Sequence, residues 1–131
     1  LEAEGFQVEE FVSQPYGEGF TTKYEEVVKG YDLILYVANL STKSNQTVVR
    51  IEWKQPMGAD CGHYINDVPP VFVSLENPYH LLDFPRVKTY INCYSNNDHC
   101  IHQLVEKLTG RSAFKGKSPV DAFCGKWDAH L

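Results

Sequence analysis

The chain has 131 residues, 43% hydrophobic, 13% aromatic and 22% charged, a composition that supports one globular unit with its own core and is unlike that of a disordered segment. Seventeen acidic residues against 12 basic ones give a formal net charge of -5, so the basic footprint that grips a nucleic-acid backbone is missing and nucleic acid is not an expected partner. The longest apolar runs, such as LILYVANL at 33–40, fall far short of the ~20 residues of a membrane helix. No membrane association is expected. The amino end also lacks the basic and apolar regions of a secretory signal, and with a longer precursor possible the location stays open.

Short strand-like and helix-like runs follow one another along the chain. FQVEEFV (6–12) predicts a strand, and SQPYGEGFT (13–21) a loop. TKYEEVVKG (22–30) then predicts a short helix: Thr22 and Glu25 have capping-box spacing, Tyr24, Val27 and Val28 share a face, and Gly30 can close the end. YDLILYVANL (31–40) is nearly continuously apolar, which predicts a central strand covered on both faces. In 45–68, Val49, Ile51 and Trp53 alternate with Arg50, Glu52 and Lys54. That period favours an extra strand, followed by a loop from Gln55 and one helical turn near Tyr64.

PVFVSL (70–75) and VKTYINCY (87–94) predict two further strands joined by a helical turn at PYHLLD (78–83). Ile101, Leu104, Val105 and Leu108 keep helical spacing after Asn97 and Asp98, with Gly110 as the stop. The tail from Ser112 has proline and glycine punctuation and predicts a wrap. The alternation implies an α/β fold, a three-layer doubly wound, mainly parallel sheet of flavodoxin-like or Rossmann-like form, as one unit over 1–131. Leu33, Leu35, Val37, Val71, Val73, Val87 and Ile91 are the expected core. The Asp98 helix is expected to pack its apolar face on the sheet.

In such sheets ligands sit beyond the carboxyl ends of the strands. Asn39 and Ser41, then Asn77, Tyr79 and His80, then Tyr94, Ser95 and Asn96 reach that rim and are the candidate site residues. The same residue types also favour strand-end turns, where they bond local backbone. A nucleophile elbow is absent. Glu76 and Asp83 flank the loop, but nothing in the sequence sets the separation that two-carboxylate chemistry needs, and both read more readily as solvated charges. YGEGF (16–20) does not match a dinucleotide-binding glycine loop, so no cofactor is implied. Cys61, Cys93, Cys100 and Cys124 read as reduced thiols. His99, Cys100 and His102 lack a second converging pair, so no metal is expected.

VFVSLENPYHLLDFPRVKTYINCYS (71–95), LVEKLTGRSAFKGKSPVD (104–121) and FCGKWD (123–128) together resemble the carboxy-terminal α/β domain of family-three glycoside hydrolases, in the β-N-acetylhexosaminidase branch. The resemblance runs from about residue 31 to the end. It implies a domain whose partner is an amino-terminal (β/α)8 barrel that supplies an aspartate nucleophile and a histidine-aspartate acid/base pair and acts on an amino-sugar glycoside. No catalytic position of that barrel has a counterpart here, and Asn77, Pro78 and Tyr79 carry over only as a loop motif near the domain interface. The family's domain opens with a strand that this sequence lacks, so the sheet either rearranges or is completed by a partner chain, and a homo-oligomer stays possible. The reading that competes with it is an independent flavodoxin-like module binding a sugar or an anion at the strand-end rim.

Overall fold

The computed structural model describes residues 1–10, 24–46, 49–51 and 67–125. Within them the regular elements are α1 (Tyr24–Gly30), β1 (Ile34–Ala38), β2 (Pro70–Ser74), β3 (Thr89–Asn92) and α2 (Asp98–Leu108), with 3-10 turns at Glu2–Glu4 and Pro78–Leu82. The strands form one parallel sheet in the order β1-β2-β3. This is the α/β architecture expected from the alternating runs.

Register explains the core. Parallel pairing puts Tyr36 opposite Phe72 and Phe72 opposite Tyr90, so three aromatic side chains form a row across the sheet. Phe72 stacks on Tyr90 with centroids 5.4 Å apart and on Tyr36 at 6.3 Å, while Phe84 meets both Phe72 and Tyr36 edge-on at 6.0 and 5.3 Å. These are the offset and T-shaped geometries that aromatic quadrupoles favour. Leu81, Val87, Ala122 and Phe123 close the cluster. The last two come from the tail, which wraps the core as its punctuation predicts.

The opposite face of the sheet is thinly covered. Of the seven expected core residues, Val73 and Val87 are buried, Leu35, Val71 and Ile91 are half-buried, and Leu33 and Val37 are exposed, Val37 by 54%. The 33–38 run is therefore not central among the described residues. It forms the edge, and β2 takes the middle because both neighbours pair with it. Helix α2 behaves similarly: Leu104, Val105 and Leu108 are half-buried and Ile101 is exposed, so the expected burial of this face on the sheet is not seen.

Other local expectations are met at their ends. The Asn97 side chain caps α2 by accepting from the Cys100 N–H at 2.9 Å, and Gly110 follows the helix at φ 76, a left-handed conformation that glycine adopts without steric cost. Gly30 is the last residue of α1. Among the described residues, Phe6–Glu10 has no strand pairing, nor has Val49–Ile51. The remainder of those two expected strands, Thr22 of the capping box, the loop from Gln55 and the turn near Tyr64 lie outside the described residues. Arg111 ties the amino end to α2 through ion pairs with Glu4 and Glu106. Cys93, Cys100 and Cys124 are free thiols, and Cys61 lies outside the described residues.

Candidate functional site

The turn after β2 is built by short-range chemistry. Asn77 caps the 3-10 turn, its side-chain oxygen accepting from the Tyr79 N–H at 3.0 Å, with Pro78 suited to the first position of the turn. Ser74 donates its hydroxyl to the Asn77 carbonyl, and the Tyr90 hydroxyl donates to the Pro78 carbonyl at 3.2 Å. Burial pushes the Tyr90 phenol up to about 12, against hydrogen bonds from Ser74 and nearby backbone that pull the other way.

Three bonds then clamp the segment Val49–Ile51 to this turn. The Asn77 amide donates to the Val49 carbonyl at 3.5 Å, the Arg50 Nε donates to Asp83, and the Ile51 N–H donates to Asp83 Oδ2 at 3.3 Å. His80 is fully buried, with its Nδ1 3.1 Å from the same Asp83 oxygen. Its Nε2 has no partner among the described residues, an unusual state for a buried polar atom. The Asp83 side chain is only 4% exposed. It is a buried hub and not the solvated charge that the sequence suggests.

Above the clamp lies an open cleft of about 490 Å³, lined among the described residues by Ser41, Thr42, Val49, Arg50, Glu76, Asn77, Pro78, Tyr79 and Leu82. Of the candidate site residues, Ser41, Asn77 and Tyr79 meet there. His80 lies beneath, behind Asp83. Asn39, Tyr94, Ser95 and Asn96 form a second cluster at the ends of β1 and β3: the Asn96 amide donates to Asn39 Oδ1 at 3.2 Å, the Tyr94 and Ser118 hydroxyls are 3.0 Å apart, and Ser95 Oγ accepts from the Asn97 amide at 2.8 Å. Tyr94 has φ 62, a left-handed conformation rare for an aromatic residue. Arg50, Thr42 and Ser118 escaped the sequence reading. Arg50 read as the solvent side of a strand, and only its spatial meeting with Asp83, 33 residues away, gives it a place at the site.

The chemistry available at the cleft is binding chemistry. The guanidinium and three hydroxyls offer donors, and the hydroxyls and the Glu76 carboxylate offer acceptors. Asp83, the only other carboxylate near the loop among the described residues, is occupied by three donors. Among the described residues, no group of three or more His, Cys, Asp or Glu side chains is placed to hold a metal ion.

A parallel sheet that carries its polar side chains on strand-end loops defines an α/β domain, and comparison with known proteins shows which larger proteins contain a similar one. The chain belongs with the α/β portion of family-three-type glycoside hydrolases. It is 56% identical over 114 residues, 87% of its length, to a β-N-acetylglucosaminidase/β-glucosidase of Cellulomonas fimi, of which those residues make up 20%. Among solved structures it is similar to a β-glucoside phosphorylase, BglX, with a TM-score of 0.80 and 47% identity over 98% of this chain and 22% of that one. The same phosphorylase bound to 2FGlc matches with a TM-score of 0.79. No family model matches the chain. The chain thus spans about a fifth of the length of the relatives it matches.

Proposed function

We propose that the chain is a non-catalytic domain of a β-N-acetylglucosaminidase-like glycoside hydrolase, supporting a (β/α)8 catalytic domain through the loop Asn77–Tyr79. The observation that carries this reading is the commitment of Asp83. Retaining glycoside hydrolysis needs two carboxyl groups about 5–5.5 Å apart and both free to react. Here Asp83 is closed in by Arg50, His80 and the Ile51 N–H, which leaves Glu76 as the one unengaged carboxylate at the cleft among the described residues. The exposed Tyr79 ring beside Pro78 then serves as contact surface for the neighbouring domain.

The test is an assay of the 131-residue chain at high concentration against nitrophenyl N-acetyl-β-glucosaminide and nitrophenyl β-glucoside. It is run with and without inorganic phosphate, since one relative carries the name of a hydrolase and another that of a phosphorylase. No turnover is expected under any condition. In a polypeptide that also carries the catalytic domain, Tyr79→Ala should weaken interdomain docking or substrate binding and leave turnover measurable. Turnover by the isolated chain that is lost in Glu76→Gln overturns the proposal.

A further inference from the structure

We propose that Cys93 and Cys100 are a peroxide-sensitive thiol pair that closes reversibly into a disulfide across the turn between β3 and α2. Strand parity places the first thiol. Tyr90 stacks in the ring row, so Ile91 turns to the opposite face of the sheet. Cys93 keeps the parity of Ile91, because its N–H extends the ladder by donating to the Ser74 carbonyl at 2.9 Å. Helical spacing places the second. Cys100 precedes Leu104 and Leu108 by four and eight positions on the half-buried side of α2, and like Cys93 it is half-buried itself. Between them the chain reverses within Tyr94–Asn97: Tyr94 takes its left-handed conformation, Ser95 Oγ accepts from the Asn97 amide at 2.8 Å, and Asn97 Oδ1 accepts from the Cys100 N–H at 2.9 Å. A turn fixed in this way holds as neighbours two side chains only seven positions apart in sequence. Each feels the other: burial first, and then the charge of a Cys100 thiolate, pushes the Cys93 thiol above its ordinary range.

That asymmetry orders the chemistry. The thiolate is the attacking form, so Cys93, held protonated, waits while Cys100 meets the oxidant. With hydrogen peroxide, Cys100 Sγ attacks one oxygen, the O–O bond breaks, and the other oxygen leaves as water, giving a sulfenic acid. Cys93 Sγ then attacks the Cys100 sulfur: the S–S bond forms, the S–O bond breaks, and the hydroxyl leaves with the Cys93 proton as a second water. Two thiols give up two electrons, and one peroxide becomes two waters. An added dithiol reverses the step. Closure ties the end of β3 to the first turn of α2 and restrains the segment carrying Tyr94, Ser95 and Asn96, whose amide donates to Asn39 across the rim. Cys124 stands in a different setting, exposed and with its Sγ donating to the Asp121 carbonyl at 3.8 Å.

Treatment of the folded 131-residue chain with hydrogen peroxide, followed by alkylation in denaturant and peptide mass mapping, tests the assignment. An endoproteinase that cuts before aspartate separates the two cysteines at Asp98, so a bridge between them appears as two linked peptides. The expected result is the loss of two of the four thiols, with Cys93 and Cys100 in the linked peptides and all four thiols restored by dithiothreitol. Cys93→Ser removes the resolving thiol and should stop at the Cys100 sulfenic acid, trapped there by dimedone. Four thiols surviving the peroxide, a bridge that uses Cys61 or Cys124 in place of either residue, or Cys100 oxidised beyond the sulfenic acid with no bridge formed overturns the proposal. So does the absence of a dimedone adduct at Cys100 in folded Cys93→Ser. Should circular dichroism show that variant to be unfolded, the map of the unsubstituted chain decides alone. No glycoside turnover enters the measurement, so its failure leaves the supporting role standing, and failure of that role leaves this one.

Discussion

Phe72→Ala probes which face of the sheet carries the stability. Phe72 is 2% exposed and touches three other rings, with centroids 5.4 to 6.3 Å away on Tyr90, Phe84 and Tyr36. Removing a buried Phe side chain costs about 3–5 kcal/mol in transfer and cavity energy. The aromatic pairs lost with it are worth roughly 0.5–1.5 kcal/mol each beyond area, partly counted in that figure, so the upper half of the range is expected. Against a domain stability of about 5–15 kcal/mol, this is roughly a quarter or more of the total. Val37→Ala, on the opposite face of β1 and 54% exposed, should cost below about 1 kcal/mol. Urea unfolding followed by far- and near-ultraviolet circular dichroism measures both. A loss under about 1 kcal/mol for Phe72→Ala, or an equal loss for Val37→Ala, refutes the assignment of the core to the aromatic face.

Asp83→Ala leaves His80 buried without a partner among the described residues on either ring nitrogen and should cost about 2–4 kcal/mol, with faster amide exchange at Ile51 as the specific sign that the clamp has opened. Leu104→Ala on the half-buried face of α2 should cost about 1–2 kcal/mol, less than a fully buried leucine, in the same urea melts. Tyr90 has its folded-state pKa raised to about 12 from 10.0 by burial. Its contribution is fully present below pH 10 and lost as pH rises towards 12, and Tyr90→Phe should flatten that alkaline decline in stability. Arg111 holds the Glu4 carboxyl below its usual range, chiefly by hydrogen bonding. In Arg111→Ala a nuclear magnetic resonance titration of Glu4 should return towards ordinary values, with little change in melting temperature.

How far the sequence could be read depended on whether the signal was local. The start of α2 at Asn97 and its stop at Gly110 were legible because each depends on bonds within a few residues. The strands at Pro70–Ser74 and Thr89–Asn92 were legible as apolar runs between turns. The buried face was not. In LILYVA and PVFVS the two alternating sets are both largely apolar, and aliphatic residues at odd positions read as core, whereas the rings at 36, 72 and 90 are what pack. Strand order was hidden for the same reason, since apolarity on both sides does not say which strand has two neighbours. At the site, the amides and phenols at strand ends could be named in advance. The Arg50–Asp83 pair could not, because it joins two segments separated by 33 residues.

Each ring of the Tyr36–Phe72–Tyr90 row comes from a different strand, so the row exists only when all three strands lie in one register. A slip of one residue in β2 would turn Phe72 to the other face and bring Val71 or Val73 into line with its neighbours. The row therefore acts as a vernier, penalising every misaligned sheet by the loss of ring contacts on both sides. Tyr36 and Tyr90 are 54 positions apart, and such pairings form late because the intervening loops must close first. Stacked tyrosines couple optically, so the near-ultraviolet dichroism of this chain should rise only in the final step of refolding, after the helical far-ultraviolet signal of α2 has recovered.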